Sequence, residues 1–216
     1  PGTNSWVAGP DIPNPDGNPN GYGAFDAPAA ILPNGKVLVT ASPIDGVNFP
    51  GPTTFIFQYD PATNAMTQVP AATGLDLSGA EFEDRFLMLP NGQALFSNST
   101  DDLFAYTPDS PQVAAGEATV SSIVRSGGNF TLTGTQLNGI SEGANYGDDA
   151  EMASNYPILS FTDGLGNVAY GRTFNWSSVG VQTGAAPVTT QFSLPAADGP
   201  GAYLANVDAN GLINAG

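Results

Sequence analysis

The chain has 216 residues, 27 of them Gly and 19 Pro, with 41% hydrophobic and only 11% charged residues, so it is long enough to bury a core and rich in turn formers rather than in builders of exposed helices. It contains no His and no Cys, which excludes Ser-His-Asp and Cys-His triads, disulfides, and thiolate or His-bearing metal sites. Four Lys plus Arg against 20 Asp plus Glu give a formal charge of -16, a field that repels phosphate backbones and excludes nucleic-acid binding.

Asn4-Ser5-Trp6-Val7 reads as a short outer strand ahead of a Gly-Pro turn. Ala30 to Val39 then shows an apolar run, a Pro33-Asn34-Gly35 turn and a second apolar run, the pattern of a β-hairpin whose Asn-Gly pair tolerates positive φ angles. Phe55 to Pro61 supplies a third strand ending in a Tyr-x-Pro turn, and Asn64 to Val69 a fourth. The unit recurs: Phe86 to Phe96 repeats the hairpin around Pro90-Asn91-Gly92, and Leu103 to Pro108 repeats the third strand. A four-stranded antiparallel unit of this kind is the blade of a β-propeller. The second copy has no fourth strand of its own, since Pro108 to Glu117 is linker-like; this is the pattern of the tail end of a longer propeller whose last blade is closed by a strand from elsewhere in the chain.

From about Ala118 the pattern changes to short alternating runs. Thr119–Val124, Asn129–Gly134, Pro157–Thr162, Val168–Phe174, Thr189–Leu194 and Gly201–Val207 predict strands, with Asp163 to Asn167 as the clearest hairpin turn. That density of short strands argues for an immunoglobulin-like β-sandwich. The expected fold class is therefore all-β: residues 1–113 as about two C-terminal blades of a partial propeller, and 118–216 as the sandwich.

The two Leu-Pro-Asn-Gly units resemble kelch-type propeller repeats. Leu132 to Gly143, Tyr146 to Asp149, Arg172 to Ser178 and Gly201 to Gly211 together resemble the early-set immunoglobulin-like domain that follows the propeller in galactose-oxidase-like proteins. Copper radical oxidases of that family use two His ligands and a Tyr crosslinked to Cys. This chain has neither residue, so the oxidase activity is not carried over, and the likeness is to non-catalytic proteins that pair kelch repeats with such a domain.

Three constellations carry candidate chemistry. The loop Glu142 to Glu151 gathers Asn145, Asp148, Asp149 and Glu151 between glycines, oxygen donors suited to Ca²⁺, although the spacing is not that of an EF-hand and Asp side chains also cap turns in solvated loops. Tyr22, Phe25, Phe49, Tyr146, Tyr156 and Trp176 fall in or beside loops, where rings stack on sugars if they are not filling the core. Glu81, Glu83, Asp84, Asp101 and Asp102, with Arg85 among them, read as surface charge; as a facing pair, two of them would suit glycoside hydrolysis.

The function these readings lead to is a non-catalytic binding module, secreted or on the cell surface, for carbohydrate or a cell-surface partner. One alternative is a structural or adhesive subunit of a larger extracellular assembly, paired with missing blades or other copies of the chain. The other is a carboxylate-dependent polysaccharide-active enzyme. No apolar run is long enough to span a membrane as a helix, and Pro1 opens into a turn-like segment, as in a mature or excised chain.

Overall fold

The computed structural model describes residues 5–44, 53–140, 157–178, 185–195 and 201–214, together with the backbone of 145–146 and 150–151. Its regular elements are seventeen strands and two single 3-10 turns, so the described residues form an all-β protein.

The first sheet contains β1 (Tyr22–Gly23), β2 (Ala29–Ile31), β3 (Val37–Pro43), β4 (Phe55–Asp60) and β5 (Ala65–Val69). β2 to β5 form an antiparallel meander, and β1 pairs with the far end of β3. A 3-10 turn at Glu81–Glu83 leads into a three-stranded meander of β6 (Arg85–Met88), β7 (Ala94–Ser97) and β8 (Phe104–Tyr106). Asn4 lies outside the described residues, and Ser5 to Val7 form no strand: the rings and methyls of Trp6 and Val7 stand in solvent, contrary to the expected outer strand.

The two hairpin turns are built alike. Gly35 N donates to Leu32 O and Gly92 N to Leu89 O, each at 2.9 Å, while Leu32 N donates to Lys36 O and Leu89 N to Gln93 O, each at 2.8 Å. The Asn34 and Asn91 side chains both accept the amide two residues on, at 3.1 Å. Only the glycines take positive φ, +81° at Gly35 and +79° at Gly92. Proline at the first central position presets a type I turn, and glycine then supplies the left-handed residue of a bulge; the pair of positive angles expected of Asn-Gly is therefore not used.

Alternation along β3 divides its side chains between two layers. Leu38 faces Ile56, Phe86, Ala94 and Phe96 between the two sheets, while Ala41 and Val39 face Tyr22, Phe55, Phe57 and Ile12 on the other side.

The remaining chain carries a second 3-10 turn at Ala114–Gly116, then β9 (Thr119–Ser126), β10 (Asn129–Thr135), β11 (Asn145–Tyr146), β12 (Ala150–Glu151), β13 (Ile158–Asp163), β14 (Val168–Phe174), β15 (Val188–Ser193), β16 (Tyr203–Ala209) and β17 (Leu212–Ile213). Seven strands form one antiparallel sheet in the order β17-β16-β13-β14-β15-β10-β9, curled into a half-barrel. β14 makes the curl: Val168 to Gly171 pair with β13 and Arg172 to Phe174 with β15. Inside lie Leu132, Leu137, Leu159, Val188 and Val207 around stacked rings, with Phe192 5.1 Å from Phe130 and 5.2 Å from Phe161.

A joint of turns links this sheet to the two meanders. A Cβ added at Gly211 would stand 2.8 Å from Gly92 Cα and 3.0 Å from Leu89 O, so the β16–β17 turn lies directly on the second Pro-Asn-Gly turn. Val113 N donates to Pro33 O at 2.8 Å, and Gln112 exchanges two hydrogen bonds with the backbone of Ile213, at 2.9 and 3.2 Å.

Candidate functional site

The first sheet ends in the outer strand β5, and the second stops at β8, whose outer edge has no strand beside it among the described residues. Between β8 and the end of β5 lies an apolar cleft. Leu38, Ile56, Phe86 and Phe96 form its floor, Phe104, Ala105 and Tyr106 one wall, and Val69, Pro70, Ala72 and Leu75 the other. The space between the walls, open solvent included, is about 420 Å³.

One end of the cleft is closed by a polar chain. Tyr106 Oη donates to Gln58 Oε1 at 2.9 Å, Gln58 Nε2 donates to Asp109 Oδ2 at 3.3 Å, and Lys36 Nζ pairs with the same carboxylate oxygen at 2.9 Å. Burial raises the pKa of the Tyr106 phenol, and Asp109 adds to the effect, so the ring stays neutral. The Lys36 hydrogen bond lowers Asp109, and the same contact raises Lys36. These donors are spent within the protein. The site therefore provides shape and apolar surface, with the Tyr106 oxygen as an acceptor, and fits apolar side chains better than a hydroxyl-rich sugar.

A second buried feature lies under β3. Its inward positions Thr40 and Ser42 are polar and fully buried, and they face the Glu81–Glu83 turn. Glu81 is 0% exposed: one carboxylate oxygen accepts the Phe25 amide at 3.0 Å and the other accepts the Ser42 hydroxyl. Ser42 Oγ lies 3.2 Å from Thr54 Oγ1, which donates to Gly79 O at 2.8 Å. Asp84 is 2% exposed, and neither its Oδ2 nor Thr40 Oγ1 has a hydrogen bond of good geometry. Burial pushes the Asp84 carboxyl up to about 7, reinforced by Glu81 and Glu83, with the Thr40 hydroxyl and Arg85 pulling the other way. The expectation that this acidic group is all surface charge is thus corrected for two of its five members. Polar residues at the inward positions of β3 were the signal, because a buried hydroxyl calls for a partner.

The expected sugar-stacking aromatics do not gather in one place. Tyr22 is buried, edge-on to Phe55 at 5.4 Å and Phe57 at 6.2 Å. Phe25 is half-buried with its ring over Gly23, whose added Cβ would meet that ring at 2.3 Å. Trp176, half-buried, packs on the half-barrel core. Tyr146 belongs to β11, while Phe49 and Tyr156 lie outside the described residues. For the expected calcium loop, β11 and β12 pair Asn145 with Glu151, and Asp148 and Asp149 lie outside the described residues. Among the described residues no three carboxylate, His or Cys side chains come together as a metal group.

Comparison of the chain with protein-family models, with curated proteins and with solved structures finds no match.

Proposed function

We propose that the chain is a non-catalytic binding module, secreted or on the cell surface, whose two meanders are kelch-like propeller blades and whose half-barrel is an immunoglobulin-like domain of the galactose-oxidase-like kind. The matching geometry of the two Pro-Asn-Gly turns supports the repeat. The observation that carries the binding reading is the open apolar cleft beside β8, closed at one end by Tyr106 and Gln58. Apolar walls with few free polar groups favour a protein partner over carbohydrate.

Ligand-observed NMR tests this with two panels, small apolar and aromatic fragments on one side and mono- and oligosaccharides on the other. Ala72 lines the cleft rim and is exposed, so Ala72→Trp plugs the space without removing a core contact. Apolar fragments should bind and be lost in Ala72→Trp. Saccharide binding that survives the plug would place recognition elsewhere.

One observation favours the assembly reading as a companion. The outward face of the second meander presents Leu87, Leu95 and Ala105 in one cross-strand row, with exposed Leu103 beside it. Apolar faces of this sort pack against further sheets. Light scattering that shows concentration-dependent oligomers would support it.

A further inference from the structure

We propose that the occupant of the cleft is an extended segment of a partner protein, added to β8 as a fourth strand, with apolar side chains at alternate positions and Lys or Arg flanking them. This rests on the cleft being the binding site.

Three observations carry the inference. β8 supplies Phe104, Ala105 and Tyr106 consecutively to the cleft wall, so the cleft runs along the strand's outer edge, where unpaired amides and carbonyls accept a neighbour. The register gives the side-chain pattern. Phe104 pairs with Phe96 and Tyr106 with Ala94, both buried between the sheets, so incoming residues opposite Phe104 and Tyr106 point into the cleft while the one between points away. Charge gives the flank. Asp101 and Asp102 precede β8, exposed and without an ion pair among the described residues, whereas Asp109 after it is already paired with Lys36. With -16 on the chain, a basic segment is attracted.

The test is titration of the whole chain with a labelled peptide, Lys-Lys-Thr-Ile-Thr-Ile-Thr-Lys-Lys, followed by fluorescence anisotropy at low salt. Three controls accompany it: the twin with Glu for every Lys, twins N-methylated at alternate backbone amides in both registers, and Ala72→Trp with the original peptide. The original peptide should bind, and the Glu twin, Ala72→Trp and the one N-methylated twin whose blocked amides face β8 should each weaken it by about tenfold or more. Undiminished binding of both N-methylated twins, with Ala72→Trp still disruptive, overturns strand addition and leaves the cleft as the site. Binding indifferent to Ala72→Trp overturns the cleft itself. No binding of the Lys peptide at millimolar concentration, or equal binding of the Glu twin, overturns the proposed partner chemistry.

Discussion

Glu81 holds the 3-10 turn to the edge of the first sheet through the Phe25 amide and the Ser42 hydroxyl. Glu81→Ala leaves that amide and hydroxyl buried without their acceptor, and is expected to destabilise the fold by about 3 kcal/mol in urea unfolding. Asp84 acts differently, because its native pKa of about 7 lies above the value of a free aspartate, 3.8. Between those values the folded state keeps a proton that the unfolded state has lost. The group therefore contributes stability that is full at acid pH and declines as pH rises towards 7, by about 1.4 kcal/mol per unit. Asp208, raised to about 7 by burial, acts in the same window. Asp84→Asn should flatten the fall in melting temperature between pH 4.5 and 7 and raise the melting temperature at pH 8. An unchanged profile would mean that Asp84 is solvated. The calcium reading of residues 142–151 is also decided by single side chains: millimolar Ca²⁺ should raise the melting temperature, and Asp148→Asn with Asp149→Asn should remove the rise. Equal melting curves in calcium and chelator would leave an ordinary acidic loop.

Strands and turns were largely legible in the sequence, because alternation and Pro-Asn-Gly or Asp-Gly turns are local signals. The six strands expected after Ala118 appear as β9, β10, β13, β14, β15 and β16, and the expected turn at Asp163 to Asn167 is present, with Asp163 accepting from Leu165 N and Asn167 N. What local pattern could not show was which elements meet. The continuity of the seven-stranded sheet depends on β14 changing partners midway, and the joint depends on two glycine turns reaching each other across the fold. Gly211, at φ +74°, makes the joint testable against Gly127, at φ +63° with open space around it. Both alanine substitutions incur the left-handed penalty of about 1 kcal/mol, and only Gly211→Ala also drives a methyl into Gly92 and Leu89. Gly211→Ala should therefore unfold at clearly lower denaturant than Gly127→Ala. Equal midpoints would mean that the turns are not in contact.

Among the described residues, the two meanders differ in that β4 is covered by β5, while the corresponding edge of β8 has no strand beside it and borders an apolar cleft. In the sequence, the linker-like Pro108 to Glu117 predicts no further strand after β8, and the cleft emerged only once Val69 to Leu75 and Phe104 to Tyr106 were seen to line one space. The net charge of -16 favours a basic partner at such an edge. Hydrogen exchange reads that edge most directly. In the free chain the outward amides of residues 104–106 should exchange much faster than those of β4, which are covered on both sides, and the Lys-flanked peptide should slow them selectively. Slow exchange at β8 in the free chain, or exchange there that the bound peptide leaves unchanged, would contradict the account.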